Sequence, residues 1–305
     1  MGGNAFKKNK VAQRRIFKEE IAPTLEHLCS SLNLQDFDIT LGDIIDGLTG
    51  STGKKNSSGD IDIVLNNTAY LPFKKQTKSW NKDVLLRICE RVEDYLGEKF
   101  YSEEGYNACQ INILWPIVDS NEYIQIDFFW GDAEWIKFTH YSPEENASNF
   151  KGVYISTLYG VLSKLRKHYQ LFDDSGNEVR RICYNYDLEK GLIRNWFMPK
   201  NVNQKISKVD PDFFETNTPD CPRFIRTSYI NDPQAVVNVL FDNNVKVEDL
   251  DTFEKAWSLV KRFYTKEEMK TVKENMVFHL WKHEKKNFET KEEFVNNFDN
   301  LLSVL

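Results

Sequence analysis

The sequence predicts an α+β (α/β) fold: a small mixed β-sheet with flanking helices, followed by a mainly helical C-terminal domain. Three observations predict it. Apolar residues recur at helical spacing near the start (Ile16, Ile21, Leu25, Leu28, Leu32), β-branched and alternating runs occupy Ile61 to Trp130, and helical periodicity dominates from Asp232 to the end. At 305 residues the chain exceeds an ordinary single domain. We divide it into an N-terminal helical segment (1–40), a compact α/β domain (41–140) and the mainly helical remainder (141–305).

The elements follow in order. Arg14 to Leu34 has the spacing of an amphipathic helix. Ile44 to Leu48 reads as a short strand feeding a tight turn at Gly50-Ser51, where a helix, if one started, would add its positive N-terminal end. Ile61 to Leu65 is β-branched and reads as a strand. Val84 to Leu96 is helical in pattern. Cys109 to Trp115 and Tyr123 to Trp130 alternate as strands, and Asp119-Ser120-Asn121 supplies the turn of an antiparallel hairpin. Val153 to His168 predicts a helix, Asp173 to Asn177 a turn between two short strands, and Pro199 to Pro222 an irregular stretch.

Composition narrows the class. The chain is 41% apolar, 13% aromatic and 28% charged, which suits a soluble protein with well-filled cores. No apolar run reaches the roughly 18 residues of a membrane-spanning helix, so no membrane partner is expected. Met1 to Ile16 is polar and basic, unlike a signal peptide. Phe6 stands where a Met-Gly myristoylation signal needs Ser or Thr. Five scattered cysteines (Cys29, Cys89, Cys109, Cys183, Cys221) form no metal-type pair and suit free thiols in a reducing, cytoplasmic compartment. The sequons at Asn56, Asn66 and Asn146 are then without consequence. A net charge of −6 weighs against a dedicated duplex-DNA binder. Local basic segments remain at Lys7, Lys8, Lys10, Arg14, Arg15 and Lys18, and at Lys164, Arg166, Lys167 and His168.

The chemistry concentrates in Gly50-Ser51-Thr52-Gly53-Lys54-Lys55-Asn56-Ser57-Ser58-Gly59-Asp60-Ile61-Asp62-Ile63-Val64-Leu65. A strand sends residues i and i+2 to one face, so Asp60 and Asp62 project together while Ile61 and Ile63 enter the core. Adjacent carboxylates repel unless a cation lies between them, and such oxygen pairs suit Mg²⁺ completed by water and phosphates. Asp127 sits among apolar strand formers in Ile124-Gln125-Ile126-Asp127-Phe128-Phe129, a poor place for a charge unless it faces a polar site. Three such acids match the needs of two ions about 4 Å apart, Mn²⁺ substituting for Mg²⁺. In that scheme Asp127 contacts mainly the ion at the reacting hydroxyl and doubles as a base. Gly50 and Ser51 can bring backbone N–H groups to a phosphate, Lys54 or Lys55 can neutralise it, and Ser58 with Gly59 can add a hydroxyl and a further donor. The spacing is not that of a Walker A loop.

The pattern Gly50-Ser51-x8-Asp60-Ile61-Asp62, with a strand-borne Asp127 downstream, resembles the nucleotidyltransferase superfamily that includes DNA polymerase beta. The resemblance covers roughly residues 44 to 130, and Ser57 to Leu65 is especially similar to the X-family polymerases. It implies a palm domain in 41–140, with Gly50, Ser51, Lys54 or Lys55, Ser58 and Gly59 on the donor's phosphates. By the same resemblance Asp60, Asp62 and Asp127 are catalytic metal ligands. Lys137-Phe138-Thr139-His140-Tyr141-Ser142 is similar to a segment that packs on the incoming sugar, but Lys137 and His140 depart from it, so no sugar preference carries over. The loop is one residue shorter than in polymerase beta, no helix-hairpin-helix glycine motif is present, and about 45 residues precede the motif. The Arg-Asp motif of bacterial-type CCA-adding enzymes is also missing. The implied activity is transfer of a nucleoside monophosphate from an NTP or dNTP to a hydroxyl, on an RNA or DNA 3′ end. The alternatives are a small-molecule or protein acceptor, and a nucleotide-binding scaffold without turnover.

Other residues read as structural. His279 and His283 lie at i and i+4 on a helix, but no third ligand is evident. Trp196, Trp257 and Trp281 suit the core. His140, Asn146, Asn149 and Lys151 fall where a nucleotide contact is conceivable.

Overall fold

A computed structural model describes residues 6, 11–66, 78–97, 100, 110–145, 147–148, 150, 152–165, 171–172, 178–188, 190–198 and 223–305. The expected turn at 173–177, the irregular stretch 199–222, the end of the helix beyond Leu165, Lys7, Lys8, Lys10, Cys109, Cys221, Asn146, Asn149 and Lys151 lie outside the described residues. The chain divides into two compact units, 1–152 and 153–305.

The first unit begins with β1 (Ile16–Phe17), α1 (Lys18–Ser31) and a 3-10 turn at Leu34–Phe37, then α2 (Leu41–Asp46), β2 (Leu48–Thr49), β3 (Ser57–Ser58) and β4 (Ile61–Asn66). It continues with α3 (Lys78–Leu96), β5 (Gln110–Pro116), β6 (Tyr123–Gly131) and α4 (Ala133–Thr139). The main sheet has the order β2-β4-β6-β5, and β1 pairs with β3 apart from it. Strands β4 and β6 run parallel, while β2 and β5 are antiparallel to their neighbours, so the sheet is mixed as expected. The β5–β6 hairpin forms where the alternation placed it. Its turn is closed by Ile117 N–H donating to the Glu122 carbonyl at 2.9 Å, with Asp119 at a φ of 57°.

The expected strand at Ile44 to Leu48 is instead mostly helix, and the cause is local. Thr40 Oγ1 accepts from the Asp43 N–H at 3.2 Å, and the Asp43 carboxylate accepts from the Thr40 N–H at 2.8 Å. This reciprocal cap satisfies two otherwise orphan donors and starts a helical turn. Only Leu48 and Thr49 remain to pair with β4.

One face of the main sheet builds the core. Ile61, Ile63, Leu65, Ile126, Phe128, Trp130, Ile111, Ile113 and Trp115 pack with Ile21, Leu25 and Leu28 of α1 and Val84, Ile88 and Val92 of α3. The N-terminal helix therefore shares the core of the sheet. The opposite face carries polar residues and a small cluster of Val64, Phe129 and Ile136, through which α4 covers one end of β4 and β6.

The second unit comprises α5 (Gly152–Leu165), β7 (Leu171–Phe172), β8 (Glu178–Asp187), β9 (Gly191–Met198), β10 (Arg223–Ile230), α6 (Pro233–Leu240), α7 (Phe253–Phe263), α8 (Lys266–Glu284) and α9 (Lys291–Val304). Besides its helices it holds an antiparallel sheet of order β10-β9-β8-β7. The closing helices start where the sequence supplies caps. Asp232, Thr252, Thr265 and Thr290 each accept an N–H from three residues downstream. Phe253, Phe294 and Phe298 are fully buried among them. No helix among the described residues is long and apolar enough to cross a membrane.

Leu28 is completely buried against the sheet. Leu28→Ala is expected to destabilise the first unit by about 2–5 kcal/mol through lost burial and a residual cavity, read as a lowered urea midpoint at unchanged slope.

Candidate active site

The register of β4 and β6 decides what stands on the polar face. Ile61 pairs with Ile126, Asp62 with Asp127 and Ile63 with Phe128. Side chains alternate along a strand, so this pairing sends the isoleucines and Phe128 into the core and sets two aspartates side by side. Asp60 lies in the bend immediately before β4, not within the strand as expected, yet its carboxylate joins the other two. One oxygen from each of Asp60, Asp62 and Asp127 lies within 4.8 Å of the others. Asp60 and Asp127 are buried and Asp62 is partly so.

Three carboxylates this close cannot all stay charged without compensation. Burial, then the charges of Asp60 and Asp127, hold the Asp62 carboxyl well above the usual carboxylate range. Burial, then Asp60, push Asp127 up to about 7, against the opposing hydrogen bond from Gln125. The Gln125 side-chain amide donates to both Asp127 oxygens, at 2.8 and 3.0 Å. A hard, all-oxygen donor set of three clustered carboxylates fits Mg²⁺ or Mn²⁺ better than zinc or copper. Asp60, Asp62 and Asp127 are the residues that would hold such ions.

The glycine loop is built against these acids. Gly50 has a φ of 63°, and a Cβ there would sit 2.1 Å from Asp62 Oδ2. Only glycine combines that left-handed backbone with so close an approach. No helix starts at this turn. Thr52 N–H donates to the Thr49 carbonyl, Lys54 N–H to the Ser51 carbonyl, and Gly53 also has positive φ, which gives successive turns. Thr52 Oγ1 accepts from the Asp62 backbone N–H at 3.0 Å, and Ser58 Oγ donates to the Ser51 carbonyl at 3.1 Å. Ser58 is fully buried, so its hydroxyl ties the loop together. Pairing of Ser57-Ser58 with Ile16-Phe17 and two bonds from the Arg15 guanidinium to Ser57, at 2.9 and 2.5 Å, anchor the far end.

The two loop lysines behave differently. Lys54 Nζ donates to the Ser142 carbonyl at 2.9 Å and stands 4.2 Å from the centre of the Tyr141 ring. Burial lowers its pKa, partly offset by Glu144. Among the described residues the Lys55 ammonium makes no such bond. His140 caps α4 and packs on Phe129, ring centres 4.6 Å apart, and burial lowers its pKa so that the neutral form is favoured. Lys137 donates to the Asp46 carbonyl at 2.6 Å. Trp257 is buried on Phe253, as expected of a core residue. Among the described residues the acid triad is the one cluster of metal-ligating side chains, so His279 and His283 belong to none.

Gln125 and Thr52 touch the site and were not singled out from sequence. Gln125 was findable, because it lies two residues before Asp127 and so shares its face. Thr52 was not, because its contact depends on how the loop folds back.

No protein-family model matches the sequence, and no curated protein matches it. Two solved structures of Leishmania infantum polymerase beta resemble the chain. The ternary gap complex is 13% identical, with a TM-score of 0.42 over 78% of this chain and 71% of that one. The ternary P/T complex is 13% identical, with a TM-score of 0.39 over 78% of this chain and 77% of that one. Likeness at this level says nothing of substrate, metal or acceptor.

Two outcomes are expected of the site itself. Asp127 binds its proton more tightly in the folded than in the unfolded chain, so its contribution to stability is fully present below the ordinary carboxylate range and is lost as pH rises through about 7. Metal-free protein should therefore melt at lower temperature as pH is raised from about 5 to about 8, with about 2–3 kcal/mol at stake over that window. Asp127→Asn should flatten that slope, and millimolar Mg²⁺ or Mn²⁺ should reverse it in the unmodified protein only. Gly50→Ala should displace the loop from Asp62 and cost about 1–3 kcal/mol through backbone strain, visible as a lowered melting temperature and weakened stabilisation by Mn²⁺.

Proposed function

We propose that this chain is a divalent-metal-dependent nucleotidyltransferase. It moves a nucleoside monophosphate from an NTP or dNTP to a hydroxyl acceptor and releases pyrophosphate. The observation that carries the proposal is the convergence of Asp60, Asp62 and Asp127 beside a loop that only glycine at position 50 permits. The sequence resemblance of Gly50 to Asp62 to the nucleotidyltransferase superfamily supports it.

Each residue has a part in that scheme. Asp60, Asp62 and Asp127 are the residues that would hold the metal ions, Asp60 and Asp62 toward the donor and Asp127 with them toward the acceptor hydroxyl. Two Mg²⁺ or Mn²⁺ ions bound there supply Lewis acidity to the phosphates and the hydroxyl. Gly50, Ser51 and Gly59 offer backbone donors along the phosphates. Lys55, whose ammonium makes no bond within the described chain, is the better placed of the two lysines to meet their charge. Lys54 and Ser58, bonded to carbonyls of Ser142 and Ser51, keep the loop in shape. The catalytic part spans 41–140, with 1–40 completing its core and 141–305 as the C-terminal domain.

We take a nucleic-acid 3′ end as the acceptor, on the similarity of Ser57 to Leu65 to the X-family polymerases and on the basic residues near the N-terminus. A small-molecule or protein acceptor is the second reading, favoured by the net charge of −6. The free thiols of Cys29 and Cys183 suit a cytoplasmic setting.

Incubation with each α-labelled NTP and dNTP, Mg²⁺ or Mn²⁺, and a mixture of RNA, DNA, protein and small-molecule hydroxyl acceptors tests the proposal. Label is expected on oligonucleotides, and Asp60→Asn, Asp62→Asn and Asp127→Asn should each reduce it by about 10²–10³-fold, the usual cost of one lost group at a developing charge. Label only on protein or small molecules would favour the second reading. Nucleotide binding without transfer to any acceptor would leave the scaffold.

A further inference from the structure

We propose that Gln125 is a positioning residue that holds Asp127 in its metal-ligating orientation, a role that rests on the metal site proposed above. Strand β6 is buried along Ile124 to Gly131, and a glutamine side chain in such a strand is costly unless its amide is bonded. Here it is, and to a catalytic carboxylate. Gln125 is 5% exposed and Asp127 7% exposed, and a single Nε2 lies 2.8 Å from Oδ1 and 3.0 Å from Oδ2.

The geometry constrains how Asp127 can bind a cation. Each carboxylate oxygen offers two lone pairs. The shared amide engages both oxygens from within the same strand face, which restrains rotation of the carboxylate about its Cβ–Cγ bond. The remaining lone pairs stay available to a cation shared with Asp60 and Asp62, whose oxygens lie within 4.8 Å. The chemistry of the donor matters equally. A lysine or arginine at position 125 would also orient Asp127, but its charge would neutralise the cluster and compete with the ion. A neutral amide orients the ligand and leaves the negative charge for the metal. Groups that orient metal ligands in this way are typically worth about 10–100-fold in metal affinity.

The test uses the full chain with Gln125→Met and Gln125→Leu, which remove the donor and differ in shape. Mn²⁺ binding is titrated by electron paramagnetic resonance without nucleotide, and folding is followed by circular dichroism in metal-free buffer. The expected result is a folded variant whose Mn²⁺ affinity falls about 10–100-fold. The Mg²⁺ concentration for half-maximal transfer should rise by a similar factor, with an unchanged nucleotide KM at saturating Mg²⁺. A folded variant that binds Mn²⁺ as tightly as the unmodified chain overturns the proposal. Loss of fold in both variants also overturns it, since Gln125 would then serve packing alone. Unmodified protein that binds no Mn²⁺ overturns the metal site and this role with it. Unmodified protein that binds Mn²⁺ but transfers no nucleotide overturns the transferase reading only, and the comparison of affinities still decides the role of Gln125.

Discussion

The parallel, in-register pairing of β4 with β6 is the constraint on which the rest of the site depends. It sets Asp62 beside Asp127 and, through the same alternation, sends Ile61, Ile63, Ile126 and Phe128 into one core. A slip of one residue would turn an aspartate into that core and an isoleucine onto the polar face. The apolar half of the pairing therefore enforces the polar half. Burial of the large side chains facing α1 and α3 offsets the repulsion among three carboxylates that would otherwise separate them.

The loop from Gly50 to Gly59 inherits its shape from this arrangement. It passes so close to Asp62 that position 50 admits no side chain, and it is bonded to β4 through Thr52 and to itself through Ser58. Its far end is held by β1 and Arg15, which come from the chain before α1. Segments distant in sequence thus converge on one short stretch of backbone. Such a loop presents its amides in a fixed array, which suits a polyanion better than a mobile loop would, because less ordering is required on binding. The segment after α4 contributes as well, since Lys54 is bonded to the Ser142 carbonyl and rests on Tyr141.

The acids are poised by their surroundings. Burial and mutual repulsion raise Asp62 and Asp127, so the site carries strain of an electrostatic kind that a divalent cation would relieve. Gln125 is bonded to Asp127 without adding charge. The clustering of the acids and its geometry both come from the sheet.

Much of this was legible in the sequence. The apolar flanks of Asp62 and Asp127 signalled a shared face, because strand alternation is a local property, whereas Asp60 joins them from the bend before β4. The β5–β6 hairpin and the capped helices after Asp232 were legible for the same reason. Other features needed the fold. The reciprocal cap of Thr40 and Asp43 overrode a β-like apolar run, and the positive φ of Gly50 and Gly53 set successive turns after it. The roles of Thr52, Ser58, Arg15 and Gln125 depend on which backbone or side chain comes to lie against them. The sequence by itself determined which residues could share a face, since that follows from the two-residue period of a strand. Only the tertiary structure decided which faces meet, because the partner, direction and register of β4 and β6 are chosen by long-range burial against α1 and α3.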